Sequence, residues 1–154
     1  MTKNGQSTLL RQLRKGGAIN GDGLDKQDMV AATQELGLSL LVADCDRARS
    51  RSAVLRAIAK AVDFPEFFGS DMDALYDCLC DTVLDSKTNI VLWLYRLHSG
   101  DPALAEDAAL IDGVCADAAQ FASENGRAFS YVIEHAGEHP EAEPGVAAAP
   151  YGES

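Results

Sequence analysis

Lysine and arginine are missing between Lys60 and Lys87, and residues 61–154 carry three bases against eighteen acids. So few cations over the second part of the chain exclude a direct nucleic-acid contact there, because binding a polyanion depends on Lys and Arg neutralising phosphates. Long apolar runs are also missing. The best uninterrupted one, Ile90 to Tyr95, falls far short of the roughly 20 residues a spanning helix needs, and residues 1–7 hold no apolar leader core. No membrane partner is expected, and the chain reads as soluble and cytoplasmic.

Cysteine is scarce. Cys45, Cys78, Cys80 and Cys115 are too few for a disulfide framework in 154 residues, so they read as reduced thiols. Metal sites find little support. Cys78 and Cys80 would point about 200° apart on a helix, and His135 and His139 have helical spacing but are separated by Gly137 and followed by Pro140. His98 reads as an end-of-strand residue. The run Asn20 to Asp25 fails as a calcium loop, since its sixth position is Asp25 where Gly is needed and its twelfth is Ala31 where Glu is needed. No Gly-rich phosphate loop follows a strand pattern and no nucleophile stands beside a base, so the reading is not an enzyme and calls for no cofactor.

What the chain does have is acid in one place. The base-free stretch holds Asp63, Glu66, Asp71, Asp73, Asp77, Asp81 and Asp85, and the last four recur every four residues. On a helix they form one stripe of like charges, repelling by roughly 0.2–0.5 kcal/mol per neighbouring pair. Counting about 100° per residue from Met72, the apolar Leu75, Tyr76, Leu79 and Val83 fall within about 60°, while the four acids cover about 100° to 220°. The carboxylates therefore face away from the core. The dipole at the helix start accounts for Asp71 and Asp73, but it has decayed before Asp77, Asp81 and Asp85. A stripe that costs stability without mixed-in bases points to a basic partner.

With 47% hydrophobic residues and only 6% aromatics, 154 residues suit one domain with a core of fair size. Leu38 to Asp44, Ile90 to Leu97 and Phe129 to Glu134 read as strands. Helical patterns separate them, which implies an α/β fold with a parallel sheet. The helices expected are Ser52 to Val62, with Val54, Leu55, Ile58 and Val62 on one face, and the acidic helix from about Asp71 to Leu84. A further crossover of about 24 residues opens at Asp101-Pro102 as N-cap and first helical position and closes at Asn125-Gly126, with room for two helices broken near Asp107. Asp25 to Leu36 reads as an extra N-terminal helix, with Asp25 as N-cap and Gly37 as its stop. Residues 1–23 read as a flexible extension, 24–135 as a single domain and 136–154 as a disordered tail.

The stretch Phe64-Pro-Glu-Phe-Phe-Gly-Ser-Asp-Met-Asp-Ala-Leu-Tyr-Asp-Cys-Leu79 resembles the signature of the barstar family of intracellular ribonuclease inhibitors. That signature runs Pro, two aromatics, Gly, an Asn-like residue, then Asp-Ala-Leu, an aromatic, Asp, Cys and Leu. The resemblance spans roughly Leu38 to Glu134. It implies a small three-stranded parallel sheet packed with helices, to which the helix over 25–36 is an addition. It also implies that the helix and its preceding loop plug the basic active site of a secreted or toxin ribonuclease, of the guanyl-specific barnase type. On this resemblance Asp77 enters the phosphate pocket and Asp73 lies beside it. Phe67, Phe68, Gly69, Asp71 and Asp81 complete the partner-binding set, and the free protein is expected to be a monomer. The aromatic pair is Phe67-Phe68 in place of tyrosines, Asp71 stands where Asn is usual and Tyr76 where Trp is frequent. Phe121 falls near the place of the family's further contact glutamate, with Glu124 about a turn later. The other reading is a module on the same scaffold for a different basic partner, another toxin or an endogenous regulator.

Overall fold

A computed structural model describes residues 3–21, 24–63 and 71–139. Within them the order is α1 (Lys3–Lys15), β1 (Gly17–Ala18), α2 (Lys26–Leu36), β2 (Ser39–Asp44), α3 (Arg51–Ala61), α4 (Met72–Asp85), β3 (Ile90–Leu97), α5 (Ala105–Glu124) and β4 (Phe129–His135). The strands form one parallel sheet in the order β1-β4-β3-β2.

Side chains alternate across a strand, so a central strand with both faces covered must be apolar throughout. The first five residues of β3 are all buried, and its residues divide cleanly between two cores. Leu92 and Leu94 join Val54, Leu55 and Ile58 of α3, Leu75, Leu79 and Val83 of α4, and Ile111, Cys115 and Ala118 of α5. Val91 and Trp93 face the other way, where they meet Leu9 and Leu13 of α1, Met29 and Ala32 of α2, Ile19 just after β1, and Val132 of β4.

The expected sheet of three strands thus gains a fourth. Gly17 and Ala18 pair with Ser130 and Tyr131 of β4, in a segment whose glycines suggested a loose extension. Gly16 and Gly17 both have positive φ, 86° and 95°, and a Cβ on Gly16 would stand 3.2 Å from the Phe129 carbonyl oxygen. Glycine lets the backbone turn and lie against β4 where a larger residue would be strained. Residues 3–15, placed in the same extension, are helical, and Leu9 and Leu13 are buried on the sheet.

Local signals elsewhere behave as capping physics requires. Asp25 accepts the Gln27 amide at 2.9 Å and Gly37 ends α2 in the left-handed region at φ 69°. Ser50 caps α3, accepting the Ala53 amide at 3.2 Å. The third crossover differs from expectation at its start and middle. Asp101 accepts the Ala103 amide at 3.0 Å and so closes a turn, and α5 begins at Ala105, later than the Asp101-Pro102 start. No break occurs at Asp107. Its carboxylate, facing the Arg51 guanidinium at 2.8 Å, lies in the first turn of one continuous 20-residue helix. That helix stops where expected, at Asn125 and the positive-φ Gly126.

Candidate functional site

The acidic helix α4 is fastened at both ends. At its start Asp71 accepts the Asp73 amide at 2.9 Å and the Ala74 amide at 3.4 Å. At its end the helix has no basic residue of its own, and Arg127 supplies the missing cation from beyond α5. One guanidinium nitrogen donates to the Val83 and Ser86 carbonyls at 3.1 and 2.7 Å, and the other to Leu84 at 3.3 Å. Those carbonyls carry the negative end of the helix dipole and lack partners within the helix. Leu75, Cys78, Leu79, Cys80 and Val83 are buried, while Asp71, Asp73, Asp77, Asp81 and Asp85 are all exposed.

The stripe drifts around the helix, as a four-residue repeat on a 3.6-residue helix must. Its two ends consequently face different neighbours. Asp73 and Asp77 line a groove of about 470 Å³ between α4 and α5, whose far wall carries Asp117 and Glu124. Met72, Val114, Phe121 and the Tyr76 ring give it apolar surface, and Gln120 adds a neutral amide. Four carboxylates share this groove, and among the described residues no base lines it. Asp81 and Asp85 lie outside it. With Asp63, Thr82 and Ser86 they line a second depression beside the start of β2 and β3.

The groove's charge is felt by its neighbours. The Tyr76 hydroxyl is held above its ordinary range, first by its hydrogen bond to the Cys80 thiol, then by burial and by the negative Asp117 and Glu124. The Cys80 thiol is raised as well, chiefly by burial and further by Asp77 and Asp81. Burial pushes Cys45 up to about 12 and Cys78 up to about 11, and it raises Cys115 too. All four are unpaired thiols. None of these cysteines has the depressed pKa that a reactive thiolate needs.

Of the residues singled out by sequence, Asp73 and Asp77 come together, Asp71 is turned to capping its own helix, and Asp81 belongs to the second depression. Phe67, Phe68 and Gly69 lie outside the described residues. Phe121 and Glu124, both near the place of the family's later glutamate, line the groove with Asp73 and Asp77. Asp117 was missed. Its spacing with Val114, Phe121 and Glu124, at intervals of three, four and three, marks a single helical face. That face could not be assigned to α4 without the tertiary packing. Among the described residues no cluster of His, Cys, Asp or Glu is arranged to hold a metal ion, and no helix is long and apolar enough to cross a membrane.

The α/β sheet thus carries a two-helix groove lined by four carboxylates. The family model described as Barstar (barnase inhibitor) matches residues 38–134, from the residue before β2 to the penultimate residue of β4. The chain belongs to the barstar family. No curated protein matches it.

Proposed function

We propose that this protein inhibits a secreted or toxin ribonuclease of the guanyl-specific, barnase type by seating α4 and the loop before it in the enzyme's basic active site. The observation that carries the reading is the convergence of Asp73, Asp77, Asp117 and Glu124 on one groove with no base among them. An enzyme that cleaves RNA holds phosphate with cationic side chains, and carboxylates can take the phosphate's place there. At an effective dielectric of about 20, each pair brought to about 4 Å gains about 4 kcal/mol of Coulomb energy before desolvation is subtracted. Asp77, central in the exposed stripe, is the residue assigned to the phosphate pocket. Asp73 flanks it, and Phe67, Phe68 and Gly69 are assigned to the rim on the family signature.

In this reading the protein performs no catalysis of its own, needs no cofactor, and acts as a monomer in the cytoplasm against an enzyme that would otherwise cut cellular RNA. The test is RNA cleavage by a barnase-type ribonuclease as the protein is titrated in. Activity should fall linearly to zero at one equivalent. Unchanged cleavage at a large excess would transfer the groove to another basic partner, which a pull-down on the intact protein would then seek.

A further inference from the structure

All three histidines of the chain gather in one corner, at the carboxyl ends of β3 and β4 and away from the acidic groove. His98 and His139 are side by side, their rings stacked with centroids 3.8 Å apart, and each side chain is only 5% exposed. His98 directs Nε2 at the Asp46 carboxylate (2.8 Å) and Nδ1 at the Gly137 carbonyl (2.6 Å). His139 directs Nδ1 at the Asp101 carboxylate (3.0 Å) and Nε2 at the Asp46 carbonyl (3.0 Å). Every one of these four partners is an oxygen acceptor.

A neutral imidazole has one N–H and one lone pair. Two neutral rings therefore supply two protons to four contacts that require four, and each ring would turn a lone pair towards an oxygen. The complete set exists only when both rings are imidazolium. We propose that His98 and His139 form a pH-sensitive clasp, which docks the segment 136–139 onto the loops after β2 and β3 when both rings are doubly protonated and lets it go when they are not.

The surroundings fit such a clasp. The docked segment is pressed close: a Cβ on Gly100 would lie 2.9 Å from the Gly137 Cα, and two backbone bonds join the strands' ends, Gly100 N–H to the Ala136 carbonyl at 3.0 Å and Ala136 N–H to the Leu97 carbonyl at 2.8 Å. Two adjacent positive rings repel each other, and the carboxylates of Asp46 and Asp101 offset that charge. Asp46 also accepts from Arg96 Nε at 2.9 Å, and Arg49 acts on Asp101. The remaining histidine, His135, meets the Ser99 hydroxyl at 2.6 Å, and a hydroxyl can donate or accept, so that contact survives either state of the ring.

The sign follows from the groups involved. Deprotonation removes two of the four bonds, so the clasp weakens as pH rises. On the acid side the hydrogen bonds from His98 and His139 hold Asp46 and Asp101 below the usual carboxylate range, and the clasp is lost only as pH falls through those lowered values.

Amide hydrogen exchange of the full chain, with protection factors corrected for intrinsic rates, reads the clasp at Gly100 and Ala136 while amides in the middle of β3 report global stability. Between pH 5.5 and 8.5, protection at Gly100 and Ala136 should drop about tenfold or more, the worth of one charge-assisted hydrogen bond. Replacing both rings, His98→Phe with His139→Phe, removes both sets of titrating nitrogens and should give low, pH-independent protection, His139→Phe alone should keep a smaller pH dependence through His98 and Gly137, and His135→Gln should leave the wild-type dependence intact. In parallel, ring ¹⁵N shifts should show both nitrogens of His98 and His139 protonated at pH 5.5. Equal protection at the two pH values, a pH dependence that persists when both rings are replaced, or a neutral ring at pH 5.5 would each overturn the proposal.

Discussion

Removing the guanidinium of Arg127 should loosen the end of the acidic helix that has no cation of its own. Three carbonyls, those of Val83, Leu84 and Ser86, depend on that one side chain. The contacts at 2.7 and 3.1 Å are sound hydrogen bonds, whereas the one at 3.3 Å is exposed and long. A hydrogen bond from a charged donor contributes roughly 1.5–3 kcal/mol, and a cation at a helix C-terminus about 0.3–1 kcal/mol. Water can replace part of what is lost at a partly open site, so Arg127→Ala should cost about 2–3 kcal/mol in total. For a chain of this size that is a fall in Tm of about 5–10 °C. In urea unfolding it should appear as a lower midpoint at an unchanged m value. Arg127→Lys keeps the charge but not the planar fork, and should recover less than half of the loss. A midpoint within error of wild type in Arg127→Ala would refute the view that this residue fastens α4.

Two further outcomes are expected. Leu13 is 1% exposed between α1 and the sheet face formed by Val91, Trp93 and Val132, so Leu13→Ala should destabilise the protein by about 2–4 kcal/mol by calorimetry or urea unfolding. A change below about 0.5 kcal/mol would mean that α1 contributes no core. If the acidic groove steers a basic enzyme to it, stopped-flow association should slow steeply as salt is raised while dissociation changes little. An association rate indifferent to salt would remove steering from the mechanism.

The parts of this fold that were legible in the sequence are those governed by local rules. The caps Asp25, Gly37 and Gly126 mark element ends by backbone chemistry alone, and the apolar runs of β2, β3 and β4 declare strands. β1 was not legible, because two residues show no period and Gly16-Gly17 resembles a linker until β4 lies beside it. The buried leucines of α1 were visible only as a short apolar patch, and they needed Trp93 and Val91 opposite them to become core. At the candidate site the stripe from Asp73 to Asp85 could be read from spacing. Its division between two depressions, and the arrival of Asp117 and Glu124 opposite Asp73 and Asp77, come from how α4 crosses α5. The histidine corner was hidden for the same reason: His98 and His139 are 41 positions apart, and each alone is an unremarkable loop residue.

The most direct test of the inhibitory role compares Asp77→Ala with Asp85→Ala in the affinity for a barnase-type ribonuclease, measured by inhibition of RNA cleavage. Asp77 lines the four-carboxylate groove and Asp85 lies outside it, on the same helix and likewise exposed. Losing one member of a desolvated charge pair costs about 2–5 kcal/mol, so Asp77→Ala should weaken inhibition by about 30-fold to several thousandfold. Asp85→Ala should change it by less than about fivefold, as an exposed charge outside the contact does. Equal small losses at both positions, with both variants folded, would contradict the pocket-filling role of Asp77.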